Sequence, residues 1–469
     1  MALAAVLVAG ALLRLLFVAS WRPAFMGWPD SASYIDVSQG QLFGNELRPA
    51  GYPMFLRLLH GIAPSLVLVM VVQHLLGLAA AGLLYMAVRR AGGPCLMGVL
   101  PAAIVALGGD EVFLEHAPIS EALFIFLVAA ALYAGVRALE ASGLRWPGAC
   151  GLCLATAATV RVVAVPLLLL FAVWVIATGG TTLRRRLAMA AVGAGAALSV
   201  IGGYYLAEYR AVGKTGLSRN GIWNVYGRVA PFADCSKFKP PAGTEPLCES
   251  TPRPERPLTS QYTFNWYYSP AIRVFDNPHT ATAAEDQEVA AFAWAVILHQ
   301  PLDYAGEVGA GLLRYVAPDS FEGVGGGPSY HDLVHQPILF NRLYREEGRK
   351  VARKHYGDVR RFAVDRGLLG GLLAYESVTR IQGPLFVLLA ALSIAAPLLT
   401  RGRTRSAALL FSLTAWTLMV VPVATVEFSA RTAVPGFGPL GAAAAIGGWR
   451  VLAALRRRPR TKRGLATAT

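Results

Sequence analysis

Charge is scarce in this chain. Only 15% of its 469 residues are Asp, Glu, Lys or Arg, against about 25% in an ordinary soluble domain. That shortage excludes a water-soluble enzyme, and the abundance of apolar residues excludes a disordered chain. Cysteine is scarcer still. Five in the whole sequence are too few for a small disulfide scaffold. No strong internal repeat is visible, and nothing suggests a fibrous protein. What fills the sequence is apolar: 55% of residues are hydrophobic, and the mean hydropathy is +0.47. The apolar residues gather in runs near or above the roughly 18 needed to cross a bilayer.

Ten such runs are predicted, at about 2–19, 64–88, 95–109, 119–138, 148–160, 162–178, 187–207, 381–400, 405–425 and 432–452. Arg14, inside the first, is expected to snorkel to the interface. The fold class expected is an all-α polytopic membrane protein of about ten transmembrane helices with an inserted mixed extracytoplasmic domain. Basic residues cluster at one set of ends: Arg89-Arg90, Arg137 and Arg145, Arg184-Arg185-Arg186, Arg401, Arg403 and Arg405, and the tail from Arg456. The net charge of +15 therefore reads as topology rather than as nucleic-acid binding. By the positive-inside rule both termini lie in the cytoplasm of a multi-pass plasma or inner membrane protein. The domains expected are an N-terminal membrane module 1–207 with a catalytic first outward loop 20–63, an extracytoplasmic domain 208–380 of loops and short helices, C-terminal membrane helices 381–455, and a basic cytoplasmic tail 456–469.

Cys235 and Cys248 fall in the outward region, where a disulfide closing a short loop persists. Cys95, Cys150 and Cys153 fit membrane packing. The aromatic residues Trp223, Tyr226 and Trp266–Tyr268 are suited to stacking on sugar rings or to a small core. His299-Gln300-Pro301, with Tyr304, reads as the start of an amphipathic helix lying on the membrane. His331, Asp332 and His335 have metal-like spacing but no third ligand type beside them.

Carboxylates and arginines stand out at the outward ends. Asp30 follows Trp28-Pro29 in the first loop. It is placed either to take a proton from a hydroxyl or to cap the helix that follows. Arg48, in a rigid Arg-Pro-Ala-Gly-Tyr-Pro turn, can meet an anion. The second outward turn holds Glu115 and His116 as substrate or cation contacts. Glu121 opens the next helix, as a site residue or a helix-start acid. Arg161 and Arg431 lie on the side where loop arginines are least expected, so each is a candidate for holding a phosphate. The alternative is an ion pair with a neighbouring acid such as Glu427. Together these residues suit group transfer from a lipid-linked phosphate.

The order of motifs resembles the GT-C type membrane glycosyltransferases of the dolichyl-phosphate-mannose mannosyltransferase-like branch. The matching pieces are Asp30-Ser-Ala-Ser-Tyr34, Arg48-Pro-Ala-Gly-Tyr52-Pro-Met-Phe-Leu56, Gln73-His74-Leu-Leu-Gly, Ser120-Glu121-Ala-Leu-Phe, Arg161 before an apolar run, and Arg431-Thr-Ala-Val-Pro435. They cover residues 1–207 and 381–450. The resemblance implies an inverting transferase that uses a polyprenyl-phosphate-linked sugar. Asp30 and Glu121 would be the catalytic acids and the candidates for a divalent cation, Mg or Mn. Arg431, Arg161 and Arg48 would bind the donor phosphate, and Tyr34, Tyr52, Glu115 and His116 are candidate substrate contacts. The partners implied are membrane lipid and an envelope glycan, lipid or protein acceptor, with no nucleic acid. Ser31 stands where many relatives carry a second acid, and Thr432 where an aromatic is usual. The alternatives from other classes are a flippase for lipid-linked saccharides and a non-catalytic assembly subunit. A transporter would show repeats and helices broken near the midplane, and the sequence suggests neither.

Overall fold

The structure, a computed structural model, describes residues 1–26, 28–140, 143–178, 182–256, 269–276, 278–316, 342–357, 359 and 362–456. The helices are α1 (Ala2–Ser20), α2 (Pro29–Gln39), α3 (Gly51–Ile62), α4 (Leu66–Arg90), α5 (Cys95–Leu107), α6 (Gly109–Glu115), α7 (Glu121–Glu140), α8 (Arg145–Val160), α9 (Val165–Thr178) and α10 (Leu183–Val212). After these come α11 (Asn220–Val229), α12 (Pro270–Phe275), α13 (Ala283–His299), α14 (Pro301–Leu313), α15 (Arg342–His355), α16 (Arg366–Thr379), α17 (Gly383–Leu399), α18 (Gly402–Thr425) and α19 (Ala430–Arg456). Among the described residues the only sheet is a two-residue antiparallel pairing of β1 (Trp21–Arg22) with β2 (Ala363–Val364).

Each of the ten apolar runs is helical. Among the described residues six helices are long and apolar enough to cross a membrane alone: α1, α4, α7, α10, α18 and α19. Two more spans arise only as bent pairs, α5 with α6 at 50° and α16 with α17 at 47°. By length and composition the count is thus six to eight rather than ten, because α8 and α9 are short. Counted as one span, the α16–α17 pair would begin at Arg366, within the stretch 208–380.

The bends correct the expectation that no helix is broken. Gly108 interrupts the first pair, and residues 380–382 the second. A broken helix frees backbone groups that lipid cannot satisfy. Here side chains of α16 serve backbone groups at the first break, and Gly383 N at the second donates to the Tyr315 carbonyl at 3.2 Å. Thr379 Oγ1 accepts from Gly109 N at 3.1 Å, and Tyr375 Oη donates to the Leu107 carbonyl at 2.5 Å. Gly109 must be small, since a Cβ there would lie 2.6 Å from Glu376 Cα.

Charge divides between the two ends of α7. At its C-terminal end Glu140 lies 3.6 Å from Arg90, 3.3 Å from Arg137 and 3.7 Å from Arg403. At its N-terminal end, about 30 Å away at 1.5 Å per residue, Glu121 meets Arg161 and Arg431.

Described residues of the stretches 220–256 and 269–300 build a separate core around Trp223, Tyr226, Phe232 and Phe292. The first two are wholly buried, so they are core rather than sugar-stacking platforms. Cys235 and Cys248 form a disulfide beside this core. By contrast, α15 packs on α2, and α16 packs on α1 and α6. Trp266–Tyr268, His331, Asp332, His335 and the tail beyond Arg456 lie outside the described residues.

Candidate functional site

Pro29 starts α2 with its missing N–H at a position where no partner is needed. Asp30 falls in the first turn, with Trp28 as the N-cap residue. Its carboxylate makes no capping bond. Arg48 Nη2 donates to Oδ1 at 2.5 Å, and Arg431 Nη1 donates to Oδ2 at 2.5 Å. The capping alternative for Asp30 therefore falls. Arg431 also donates through Nε to Glu121 Oε1, an oxygen that accepts from Arg161 Nη1 as well. Arg161 Nη1 reaches Ser120 Oγ at 3.2 Å. Trp28 closes one side, its ring centroid 4.8 Å from the Arg431 guanidinium carbon.

Five sequence candidates, Asp30, Arg48, Glu121, Arg161 and Arg431, thus meet in one cluster of two carboxylates and three guanidiniums. The arginines do pair with acids, but with Asp30 and Glu121. Glu121 is fully buried, and its Oε2 has no hydrogen-bond partner among the described residues. Burial pushes the Asp30 pKa up, but Arg48 and Arg431 outweigh it, so the group lies well below the usual carboxylate range.

Tyr34 and Tyr52 line the floor. Their rings meet edge to face at 4.9 Å, and Tyr34 Oη stands 3.5 Å from Ser120 Oγ. Tyr52 donates to Gln73 Oε1 at 2.5 Å.

Glu115 and His116 belong elsewhere. Their side chains enter a second buried cluster, so they do not join the Asp30–Arg431 group. Glu115 accepts from Arg14 Nε at 2.7 Å and Nη2 at 2.5 Å, and from His74 Nδ1 at 2.8 Å. His74 Nε2 lies 3.1 Å from His116 Nδ1, and His116 Nε2 lies 2.7 Å from the Trp21 carbonyl. Arg14 is 3% exposed and does not snorkel. It pairs with Glu115 because an arginine within a span needs a partner. Gly77 admits Glu115: a Cβ there would fall 1.7 Å from Glu115 Oε1. Beside His74, Gln73 Nε2 donates at 2.7 Å to the carbonyls of both Glu115 and Ala117. Gln73 thereby fixes the turn that delivers Ser120 and Glu121.

A divalent cation fits this site poorly. Both Asp30 oxygens are held by guanidiniums, and no group of three His, Cys, Asp or Glu suited to a metal occurs among the described residues.

Fold and site together define a multi-pass, α-helical membrane protein with an acid–guanidinium cluster at one end of its bundle. No protein-family model matches the chain, and no curated protein matches it. Among the solved structures similar to it are three glycosyltransferases. The Saccharomyces cerevisiae protein O-mannosyltransferase Pmt1–Pmt2 complex bound to the sugar donor shares 16% identity at a TM-score of 0.36, over 51% of this chain and 36% of that one. The oligosaccharyltransferase AglB of Archaeoglobus fulgidus, in complex with an inhibitory peptide and a dolichol-phosphate, shares 12% identity at a TM-score of 0.46, over 99% and 52%. An apo form of the Archaeoglobus fulgidus oligosaccharyltransferase gives 12% and 0.43, over 97% and 52%. All are glycosyltransferases, the class that the sequence motifs resemble. The chain spans 36–52% of the length of these structures. Identities and scores this low say nothing of substrate or chemistry, which rest on the site itself.

Proposed function

We propose that this chain is an integral membrane glycosyltransferase. It moves a sugar from a polyprenyl-phosphate donor to a hydroxyl of an extracytoplasmic acceptor: an envelope glycan, a lipid or a protein. The reading rests on one observation: Arg431 bridges Asp30 and Glu121, so an anion-binding group and a proton acceptor share one spot. The Arg-rich end of the bundle, around Glu140, faces the cytoplasm, and the Asp30 cluster faces the opposite side.

The mechanism follows from competition for the guanidiniums. In the free protein Asp30 is a weak base, because two arginines hold its charge. The donor's phosphate draws Arg431 and Arg161 onto itself. Asp30 then loses one of its two guanidiniums, and its basicity rises when the donor is bound. It takes the proton of the acceptor hydroxyl as the acceptor oxygen bonds to the anomeric carbon. The bond from that carbon to the phosphate oxygen breaks, and polyprenyl phosphate departs with its charge held by Arg431 and Arg161. One displacement inverts the anomeric centre. Glu121 keeps the two arginines oriented.

The bent pairs with buried Asp110 and Glu111 at the first break are the observation that favours a saccharide transporter instead. Purified protein in lipid, given a polyprenyl-phosphate donor with radiolabelled sugar and an acceptor extract, separates the two. Labelled product requires the transferase. Label that stays on the donor lipid but crosses the bilayer overturns it.

A further inference from the structure

The helix α14 is amphipathic in the reverse sense for a water-facing helix. Its two acids turn to protein. Asp303 accepts from Arg253 Nη1 at 2.9 Å and from Lys237 Nζ at 3.2 Å, and Glu307 lies 3.8 Å from Arg253. The other face carries Leu302, Ala305, Gly306, Ala310 and Leu313, which are exposed and uncharged, at the three-to-four residue spacing of one helix side. Leu302 is 86% exposed and Leu313 65%. The preceding helix α13 ends in the same manner, with Trp294 59% and Leu298 73% exposed, while its first turns are polar.

The contacts of α14 fix its level. Tyr304 Oη donates to the carbonyl of Ala424, in the last turn of the spanning helix α18, at 2.9 Å. Gly311 packs so closely that a Cβ there would stand 2.6 Å from Val423. Beyond the helix, Tyr315 Oη reaches the Met419 carbonyl at 3.3 Å. Ala424 to Met419 is about 7.5 Å along α18 at 1.5 Å per residue. Within α14 the contacts stay at Ala424 and Val423, so the helix lies across the end of the span and only the residues after it reach further in; its apolar face adjoins the surface of a membrane helix.

We propose that the α13–α14 elbow is embedded in the lipid leaflet on the side of the Asp30–Arg431 cluster, with acyl chains covering Leu298, Leu302 and Leu313. Trp294 sits at headgroup level, where indole rings concentrate. Depth increases from Gln287, in water, through Trp294 to Leu302. In water these side chains would keep their apolar surface hydrated at a cost, whereas in lipid they are matched. The elbow also adjoins the proposed donor site: Tyr315 packs against Phe428, three residues before Arg431, at 4.9 Å between ring centroids. The inference holds whether or not the chain transfers a sugar.

The test uses full-length protein in phosphatidylcholine vesicles, with Cys95, Cys150 and Cys153 replaced by alanine and the disulfide kept. Spin labels are placed singly through Gln287→Cys, Leu298→Cys and Leu302→Cys. Power-saturation readings compare oxygen, which partitions into lipid, with a water-soluble nickel chelate. The oxygen-to-nickel ratio should be several-fold higher at 298 and 302 than at 287. Equal ratios at the three positions would overturn the proposal. So would dipolar broadening at 298 or 302 with both reagents excluded, which would mean that a second copy covers the face.

Discussion

Arg431 donates to Asp30 across 401 residues of sequence, at 2.5 Å. This contact joins the first loop to the last spanning helix, and it is where transition-state charge would collect. Nε and Nη1 of the same guanidinium serve different carboxylates, a division that an ammonium cannot reproduce. Arg431→Lys should lower kcat/KM by about 100-fold, roughly 2.7 kcal/mol, in radiolabelled sugar transfer. Activity within a few-fold of the parent would remove Arg431 from the donor site.

Asp30→Asn should abolish transfer while membrane insertion stays intact, as checked by detergent extraction and size exclusion. The pH dependence has a definite sign. Arg48 and Arg431 hold the folded pKa below its usual value against the upward push of burial, so the folded protein binds the proton less tightly than the unfolded chain. The stabilising contribution is complete above the unfolded value of about 3.9 and is lost as pH falls towards the folded one. Thermal unfolding of parent and Asp30→Asn should differ by a constant amount from pH 7 to about 5 and converge below about 4. A difference that shrinks already near pH 6 contradicts the arrangement.

Glu115→Leu leaves Arg14 and the imidazole pair without their acceptor inside the bundle. Breaking a buried pair on one side costs about 3–5 kcal/mol, seen as a large fall in melting temperature in detergent. The double replacement Arg14→Leu with Glu115→Leu should recover much of the loss. If the single variant melts with the parent, Glu115 is not the counter-charge of Arg14.

Cys235→Ser with Cys248→Ser opens a loop whose ends are 13 residues apart. Chain-entropy reasoning puts the loss at about 3 kcal/mol, confined to the 220–300 core. Limited proteolysis should cut that region faster, while the spanning helices remain protected. Unchanged digestion would show that the bridge constrains nothing.

The site residues were legible because acids and arginines are rare beside long apolar runs. Asp30, Arg48, Glu121, Arg161 and Arg431 each mark the end of an element, and their convergence needed only alternating spans. The second cluster was not legible. Arg14 and Glu115 are 101 residues apart, and an arginine near the end of an apolar run reads equally well as snorkelling. His74 stood out only as part of a motif, with nothing to suggest that it faces His116. The breaks do carry a signal in the sequence: Gly108-Gly109 falls at the end of one run, and Gly383-Pro384 near the start of another. Periodicity could not reveal that Tyr375 and Thr379 would meet the first interruption and bond its backbone.

Position 77 shows how small a change could silence such a protein from a distance. One extra methyl there would occupy the space of the Glu115 carboxylate and evict it. An arginine would then be stranded in hydrocarbon, and the turn that presents Ser120 and Glu121 would slip. No residue that handles substrate would have been altered, so a search restricted to the reaction centre would overlook the cause.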